Sequence, residues 1–209
     1  MLDLLNYRKN VYSENGEDGI LDKILEILNI NEGYFVEFGA WDGKLGSNTY
    51  NLLSKNWKGV YIESLHDRYL ECVDNMKPYG DRVKVLNTAI SHLDDDNKLD
   101  SILLKTSLPK DFDIVSIDID GYDYFVWKNF IEFKPKIVII EVDSNIKDGD
   151  YQIYDPEKRT GTGYSALCKL GIEKGYKPLV HCANVILLRD DIKFPEVNCY
   201  YNSKFVFIQ

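Results

Sequence analysis

Cysteine and histidine are scarce in this chain, and both shortages narrow the chemistry. The 209 residues include four cysteines and three histidines, and no two cysteines form a Cys-x-x-Cys pair. A zinc site or a dithiol redox motif is therefore not indicated. Because widely spaced thiols are typical of proteins in a reducing compartment, we expect free cysteines and a cytoplasmic location.

Long apolar runs and positive net charge are also missing. No run approaches the ~20 apolar residues that cross a bilayer, and residues 1–10 are too polar and too short for a signal peptide. We therefore expect no membrane partner. The net charge of −9 argues against nucleic acid as the main substrate, because a phosphate backbone requires a basic footprint.

What the chain does contain is an alternation of strand-like and helix-like runs, which is typical of an α/β doubly wound sheet. Five central runs are almost continuously apolar, as expected for parallel strands covered on both faces. Two further runs predict an antiparallel hairpin at the far end of the sheet. The strand-like runs lie at the start of 33–43, then at 59–63, 82–87, 112–120, 136–143, 176–181 and 184–189. Helices are predicted at 17–28, 47–55, 67–76, 122–130 and 164–175.

The length of the chain favours one domain. We expect an N-terminal helical segment over about 1–32, a sheet core over about 33–190 and a C-terminal extension over about 191–209. Residues 148–163 are rich in Gly, Asp and Pro, and such an insertion is typical of a substrate loop or lid. The strand-like tail from Phe194 onward has no predicted place.

The turn within residues 33–43 carries two carboxylates, Glu37 and Asp42, beside Gly39 and Gly43. Glycine allows tight turning and close approach of the backbone to a ligand. A phosphate-binding loop usually offers lysine or bare backbone N–H groups, whereas fixed negative charge suits a cationic cofactor. S-adenosylmethionine, with its sulfonium and ammonium groups, fits this description. A plain glycine-rich turn with solvated acids has the same sequence pattern.

Polar residues also follow the second and third predicted strands. Glu63 ends the second strand and precedes Ser64; an acid in this position accepts hydrogen bonds from ribose hydroxyls in nucleotide-binding sheets. The third strand leads through Asn87 into Thr88 and Ala89. This polar, small turn offers backbone groups to an adenine edge.

Four carboxylates follow the fourth and fifth predicted strands: Asp118, Asp120, Glu141 and Asp143. Converging carboxylates repel one another unless a cation lies among them, and such oxygen ligands suit Mg²⁺ or Mn²⁺. In the alternative interpretation, Asp118 and Asp120 cap a cofactor pocket and Glu141 orients the acceptor without metal.

His181, at the end of the sixth predicted strand, is a candidate general base or metal ligand. A lone histidine at the end of a strand is also commonly a hydrogen-bonded, partly buried residue. Both interpretations stay open at this point.

Taken together, the ordered motifs resemble the FkbM family of class I S-adenosylmethionine-dependent methyltransferases. The resemblance spans about residues 11–190 and rests on several motifs in order. They lie at residues 13–19, 36–43, 47–49, 62–63, 117–121 with Asp123, and 140–143. The chain departs from the family pattern at Glu14, where the family usually has Gln, and at Asp120 and Asp123, where it usually has Glu.

The resemblance implies a Rossmann-like doubly wound seven-stranded sheet with a C-terminal antiparallel hairpin, and it implies roles for particular residues. Glu37, Gly39, Asp42 and Gly43 would line the methionine end of the cofactor, with Asp118 nearby. Glu63 would hold the ribose hydroxyls, Ser64 would be a further cofactor-binding residue, and Asn87, Thr88 and Ala89 would lie near adenine. Ser13, Asn15 and Glu17 would close over the cofactor. Ser47, Asn48 and Thr49 would reach the cofactor carboxylate, although they are equally typical of helix capping.

The prediction from sequence is therefore an S-adenosylmethionine-dependent methyltransferase. It would methylate an oxygen of a small hydroxylated metabolite or sugar, with Asp118, Asp120 and His181 as catalytic candidates. An N-methyltransferase and a cofactor-binding protein without catalysis are the alternatives. A nicotinamide-dependent dehydrogenase is disfavoured because the complete Gly-x-Gly-x-x-Gly motif is absent after the first predicted strand.

Overall fold

Seven strands form one mixed sheet in the computed structural model of the protein, which describes residues 1–158 and 160–198. The strands are β1 (Tyr34–Phe38), β2 (Lys58–Glu63), β3 (Val83–Asn87), β4 (Ile114–Ile117), β5 (Ile137–Glu141), β6 (Tyr176–Cys182) and β7 (Asn184–Arg189). Their spatial order is β3-β2-β1-β4-β5-β7-β6. The first five strands are parallel, and β7 is antiparallel to both β5 and β6. The doubly wound sheet with a C-terminal hairpin is thus confirmed.

Helices cover both faces of this sheet. They are α1 (Glu17–Leu28), α2 (His66–Met76), α3 (Leu99–Leu103), α4 (Asp123–Asn129) and α5 (Tyr164–Glu173). Short 3₁₀ helices occur at Leu4–Tyr7, Tyr50–Lys55, Lys77–Arg82 and Asp95–Asn97. Two buried apolar layers result, one on each side of the sheet. Trp57 lies in one layer and Trp127 in the other, as expected for core residues.

The switch in strand order lies between β1 and β4, at the centre of the sheet. The chain runs from β1 outward to β3 and then returns to the other side of β1 with β4. Phe38 at the end of β1 is paired with Ile62 of β2 and with Ile117 of β4. The carboxyl ends of these three strands are therefore level, which creates the crevice where open α/β sheets bind ligands.

The second predicted helix is a 3₁₀ helix over Tyr50–Lys55. It starts three residues later than predicted, because side chains accept the backbone N–H groups at its beginning. The Ser47 hydroxyl accepts the N–H groups of Thr49 and Tyr50, at 3.2 and 2.9 Å. The N–H of Asn48 bonds to the Glu37 carboxylate. Such local side-chain acceptors compete with the helical pattern.

The fourth predicted strand was too long at its carboxyl end. It ends at Ile117, because Asp120 and Gly121 both have positive φ angles, of 56° and 146°. These angles turn the chain away from the sheet. The short helix α3 was not predicted.

The first residues of the chain contact the described beginning of the C-terminal extension. Leu2 forms a parallel bridge with Val197, which places the beginning of the predicted strand-like tail. The rest of that tail, residues 199–209, lies outside the described residues. None of the helices in the described ranges has the length and apolar character needed to cross a bilayer.

Candidate cofactor site and carboxylate cluster

A cavity of about 580 Å³ opens at the carboxyl edge of the sheet, over the crevice between β1 and β4. Its walls come from the loop after β1 and from the ends of β2, β4 and β5. Among the described residues, its lining holds six carboxylates and no lysine, arginine or histidine. The carboxylates belong to Glu14, Glu37, Glu63, Asp118, Asp120 and Glu141.

A larger groove, of about 800 Å³, lies at the opposite edge of the sheet, where the strands begin. Its lysines include Lys136, which forms an ion pair with Asp113, and Lys55, which forms one with Asp22. Since ligands of open α/β sheets bind at the carboxyl ends of the strands, the smaller and more acidic cavity is the candidate site.

The loop after β1 is shaped by glycine at two close approaches. A Cβ atom at Gly39 would collide with the backbone carbonyl oxygen of Asp118, and Gly39 has a φ of 72°. A Cβ at Gly43 would lie 2.6 Å from the Cys72 sulfur. Gly39 thus lets β1 and β4 come together beneath the cavity, while Gly43 packs the loop against α2. Asp42 accepts backbone N–H groups from Lys44 and Leu45 and does not line the cavity.

Glu37 lies buried on the cavity floor and accepts hydrogen bonds from the predicted motif at residues 47–49. The Ser47 hydroxyl donates to its carboxylate at 2.6 Å, the Thr49 hydroxyl at 2.5 Å and the Asn48 N–H at 2.9 Å. Burial raises the pKa of Glu37, and the hydrogen bonds from Ser47 and Thr49 partly offset that rise. The two hydroxyls are therefore used for Glu37; Ser47 and Asn48 still line the cavity, and Thr49 lies beneath it.

Glu63, at the end of β2, connects two walls of the cavity. One carboxylate oxygen accepts the N–H of Trp41 at 2.8 Å, and the other accepts the N–H of Leu65 at 2.7 Å. Ser64 lies beside them in the lining. The Ser64 hydroxyl also donates, at 3.4 Å, to the oxygen that accepts the Leu65 N–H. The oxygen that accepts the Trp41 N–H has a second lone pair, so Glu63 retains acceptor capacity there.

The residues after β3 support this wall from behind. The Asn87 side-chain amide donates to the backbone carbonyl oxygens of Glu63 and Ser64, and the Thr88 N–H donates to that of Glu63. Neither Asn87, Thr88 nor Ala89 is part of the cavity lining. In this structure their contacts position the end of β2.

The N-terminal segment folds around Asp18, a residue that sequence reasoning did not single out. One Asp18 carboxylate oxygen accepts the N–H groups of Val11, Tyr12 and Ser13 and the Ser13 hydroxyl. Glu17 is buried and accepts a hydrogen bond from the Asn184 side chain at 2.8 Å and one from the Asn15 N–H.

Through this anchoring, the segment brings Glu14 to the cavity, whereas Ser13, Asn15 and Glu17 do not line it. Sequence reasoning did not assign Glu14 to the site. The signal that could have found it was its place in the motif at residues 13–19, where this chain has Glu and the FkbM family usually has Gln.

Asp118, Asp120 and Glu141 form a group of three carboxylates whose oxygens lie within 4.8 Å of one another. Burial is the largest cause that raises the pKa of Asp118 to about 8, and the nearby carboxylates add to it. Burial likewise raises the pKa of Glu141 to about 7, and a hydrogen bond with Asp118 opposes that rise. The two side chains therefore share protons near neutral pH.

Two neighbouring acids have structural partners instead. Asp123 is buried at the start of α4 and accepts the N–H groups of Ile119 and Gly121, which fixes the loop that carries Asp120. Asp143 accepts N–H groups from Asn145 and Gly161. The structure thus brings together three of the four predicted metal ligands, while Asp143 lines a smaller adjoining cavity of about 270 Å³.

Asp118 makes the stability of the metal-free protein sensitive to pH. Glu141, Asp123, Asp120 and Glu37 all face it and disfavour its charged form. The folded chain therefore holds a proton that the unfolded chain releases near pH 4. The free energy of unfolding should fall as the pH rises from about 4 to about 8, by on the order of 2 kcal/mol after allowance for partial exposure.

Denaturant titrations in the presence of a chelator, at pH 5 and pH 8, measure this change. Asp118→Asn should remove the part of this change that Asp118 contributes; Glu141, whose pKa is also raised by burial, should retain its own part. Asp81→Asn, at an exposed position, should leave the whole change in place. Equal pH dependence in Asp118→Asn and the wild-type protein would contradict the expected role of Asp118.

His181 lies away from the carboxylate group. Its ring stacks on Tyr164, with the centroids 4.6 Å apart, and its Nδ1 lies 3.8 Å from an Asp148 oxygen. Burial lowers its pKa. His181 does not line the cavity, and its described contacts are with α5 and the start of the 148–163 insertion.

No protein-family model matches the chain, and no curated protein matches it in sequence. Solved structures do resemble it. A provisionally named O-methyltransferase from Klebsiella pneumoniae has a TM-score of 0.53 at 11% identity, covering 90% of this chain and 88% of its own. M. capricolum TrmK, in complex with S-adenosylhomocysteine, has a TM-score of 0.50 at 10% identity and covers 83% of this chain and 71% of its own.

A provisionally named sarcosine dimethylglycine methyltransferase from Galdieria sulphuraria has a TM-score of 0.51 at 15% identity and covers 78% of this chain. This chain spans only 62% of that protein's length. At these identities the likeness establishes the fold. The chain has the class I fold of the S-adenosylmethionine-dependent methyltransferases.

Proposed function

We propose that this protein is an S-adenosylmethionine-dependent methyltransferase. The observation that carries the proposal is the acidic lining of the cavity: six carboxyl groups, of which Asp118 and Glu141 share protons near neutral pH, and no cationic side chain among its described lining residues. A dinucleotide would place its pyrophosphate against this negative field, whereas the sulfonium and ammonium groups of S-adenosylmethionine are attracted by it. The cavity also lies at the strand-order switch, where the fold binds ligands.

The lining residues give the cavity two ends, one for the ribose and one for the methionine part of the cofactor. Glu63 offers its remaining acceptor capacity to the ribose hydroxyls, and the loop from Gly39 to Trp41 follows the cofactor toward its methionine part. Glu37, held by Ser47 and Thr49, supplies negative charge on the floor. Asp118 lies where the cofactor end and the carboxylate group meet, since both are formed at the end of β4.

We further propose that the acceptor group is a hydroxyl. A hydroxyl must lose its proton during transfer, and a base is most effective when its pKa lies near the working pH. The pKa of Asp118 is raised to about 8 by burial and neighbouring acids, so this residue and Glu141 can take up that proton. In-line alignment of the acceptor with the methyl group would further accelerate the transfer through proximity. A neutral amine acceptor would need no such base.

The donor set of Asp118, Asp120 and Glu141 also fits Mg²⁺ or Mn²⁺, which prefer carboxylate oxygens. A cation among them would relieve their mutual repulsion. Bound there, it would lower the pKa of a coordinated acceptor hydroxyl. Asp143 is left out of this proposed set because its carboxylate is bonded to Asn145 and Gly161.

The motif order supports an assignment to the FkbM group and, with it, a sugar or other hydroxylated metabolite as acceptor. The cavity also supports such an acceptor, because its acidic side chains repel polyanionic acceptors such as nucleic acid. The buried thiols Cys72, Cys168 and Cys182 support a cytoplasmic location, where thiols stay reduced.

Calorimetric titration of the protein with S-adenosylmethionine, in chelator and then in Mg²⁺ or Mn²⁺, tests the cofactor and the metal separately. Micromolar binding is expected in both conditions, and the metal ions alone should bind with Kd values that rise at least tenfold in Glu141→Gln. Glu132→Gln, at an exposed position far from the cavity, is the matched control. Absence of cofactor binding would refute the methyltransferase assignment. Unchanged metal affinity in Glu141→Gln would refute the metal set alone.

A radiolabelled methyl-transfer assay then tests the acceptor. The wild-type protein should methylate members of a panel of sugars and other polyhydroxylated compounds. In chelator, the rate should rise between pH 6 and pH 8 as Asp118 and Glu141 lose their protons. Transfer confined to amine acceptors would instead establish the N-methyltransferase alternative. Cofactor binding without transfer to either panel favours the non-catalytic alternative.

A further inference from the structure

The loop after β4 has a backbone conformation that most residue types do not favour. Asp120 has a φ of 56°, in the left-handed region, and the next residue, Gly121, has a φ of 146°. Positive φ angles are unfavourable for residues that carry a Cβ atom, and an aspartate with such an angle is retained where the surrounding structure enforces it. Groups outside this loop must therefore hold it.

The backbone conformation matters for Asp120 because the described residues offer its side chain neither a hydrogen bond nor an ion pair. One Asp120 oxygen lies within 4.8 Å of an oxygen of Asp118 and of Glu141, and these acids repel it. Since Asp120 is exposed, a loosely held backbone would let its side chain turn into the solvent, away from the other two. The loop therefore determines whether the three carboxyl groups stay together.

Asp123 holds this loop at the start of α4. One of its oxygens accepts the N–H of Ile119 at 2.8 Å, and the other accepts the N–H of Gly121 at 2.9 Å. These are the residues immediately before and after Asp120 in the chain. Because Asp123 is only 4% exposed, water competes little with these bonds. A single buried carboxylate thus fixes the backbone on both sides of Asp120.

Tyr154, from the insertion at 148–163, also contacts the loop. A Cβ atom at Gly121 would lie 2.5 Å from the Tyr154 ring, so the ring packs directly on the glycine backbone. The Tyr154 N–H donates to the Thr162 hydroxyl at 3.1 Å, and the Thr162 carbonyl oxygen accepts the N–H of Asp143. Tyr154 therefore connects the loop after β4 to the residues that follow β5.

We propose that Asp123 and Tyr154 are positioning residues for Asp120. They hold its carboxylate beside the two other members of the group, Asp118 and Glu141, so that a divalent cation can bind. The inference rests on the proposed metal set, because it assigns the residues that keep this set together. Asp123 acts through its two backbone hydrogen bonds and Tyr154 through the packing of its ring, and neither is itself a proposed ligand.

Calorimetric titration with Mn²⁺ tests the tyrosine without changing the charge of the site. Tyr154→Ala should weaken Mn²⁺ binding about tenfold, the lower end of the range for groups that support a metal ligand. Tyr154→Phe keeps the ring and should bind Mn²⁺ as the wild-type protein does. Tyr151→Ala is the matched control, since Tyr151 is a 53% exposed tyrosine of the same insertion whose ring lies near Lys169. Its Mn²⁺ affinity should be that of the wild type.

Asp123→Asn tests the second positioning residue. The asparagine NH₂ group would oppose one of the two backbone N–H groups, so one hydrogen bond is lost, and Mn²⁺ binding should weaken about tenfold. The substitution also removes a negative charge close to the group, so the tyrosine variants decide whether position rather than charge is responsible. Unchanged Mn²⁺ affinity in a folded Asp123→Asn protein would overturn the role of Asp123.

Hydrogen exchange in the wild-type protein gives a readout that needs no substitution. Because coupling between two positions is reciprocal, a cation that requires an ordered loop should order that loop when it binds. Saturating Mn²⁺ should therefore slow the exchange of the Ile119, Gly121 and Tyr154 N–H groups severalfold relative to chelator. Exchange within α1 is the internal reference and should not change.

The outcomes separate this inference from the proposed function. Absence of Mn²⁺ binding to the wild-type protein overturns the metal set and the positioning roles together, while binding of S-adenosylhomocysteine tests the methyltransferase assignment independently. Unchanged Mn²⁺ affinity in folded Tyr154→Ala overturns the role of Tyr154 alone. Equal weakening of Mn²⁺ and S-adenosylhomocysteine in this variant also overturns it, because the ring would then support the whole cavity. If Tyr154→Ala does not fold, as judged by circular dichroism, the exchange experiment decides, and exchange that Mn²⁺ leaves unchanged overturns the inference.

Discussion

Glu63→Gln should weaken the binding of S-adenosylhomocysteine at least a hundredfold, the largest loss of affinity that we expect from one substitution. The two Glu63 oxygens accept the N–H groups of Trp41 and Leu65 while facing the proposed ribose site. A glutamine amide nitrogen would oppose one of these N–H groups. It would also remove the charge from bonds to the ribose hydroxyls, each worth about 1.5–3 kcal/mol.

Titration calorimetry of the two proteins measures this change. Asp74→Asn is the matched control, because Asp74 lies on the neighbouring helix α2, exposed and paired with Lys77. Its affinity should equal that of the wild type. A Glu63→Gln protein that folds and binds within threefold of the wild type would show that the ribose does not bind at this carboxylate.

The secondary structure and the sheet architecture could be predicted because they depend on local sequence patterns. Apolar residues at helical spacing on one face predicted a helix over 17–28, and α1 has these bounds. Continuous apolar runs predicted β1 to β5, and turn residues predicted the β6–β7 hairpin. Since parallel strands end at one edge of a sheet, the gathering of Glu37, Glu63, Asp118 and Glu141 could be expected as well.

The partners of individual side chains could not be predicted, because they join residues that are distant in sequence. Glu17 bonds to Asn184, 167 residues away, and is therefore buried beneath the hairpin and not in the cavity. His181 stacks on Tyr164, a contact that only the packing of α5 against β6 creates. Asp143 follows β5 as predicted, but the N–H groups of Asn145 and Gly161 occupy its carboxylate.

The hydrogen-bond partners of the residues that follow β1 could not be predicted either. Ser47 and Thr49 were candidates for cofactor contact or helix capping, and the sequence does not distinguish these roles. In the structure both hydroxyls donate to Glu37. The Ser47 hydroxyl also accepts the N–H groups of Thr49 and Tyr50 at the start of the 3₁₀ helix, as a capping residue does. The loop after β1 is therefore fixed from below by a buried carboxylate, which affects the stability of the protein as well as the proposed binding of the cofactor.

Glu37→Ala should lower the free energy of unfolding by about 4 kcal/mol, since it leaves several buried donors unpaired and opens a cavity. The Ser47 and Thr49 hydroxyls and the Asn48 N–H would lose their acceptor. Thr49 also bonds to the Tyr61 hydroxyl at 3.2 Å, so the disturbance would reach the core. Because the hydroxyls can rotate to accept a hydrogen bond, Glu37→Gln should cost less than half as much.

Urea titrations of the three proteins at pH 7 measure these differences. Burial raises the pKa of Glu37, so the folded wild-type chain holds its proton more tightly than the unfolded chain. Its contribution to stability therefore decreases as the pH rises above the unfolded pKa, and the loss in Glu37→Ala should be greater at pH 5 than at pH 8. A loss below about 1 kcal/mol at both pH values is no more than an ordinary substitution causes. Such a result would mean that Glu37 does not stabilise the loop after β1, and that its glycines and its packing against α2 do so.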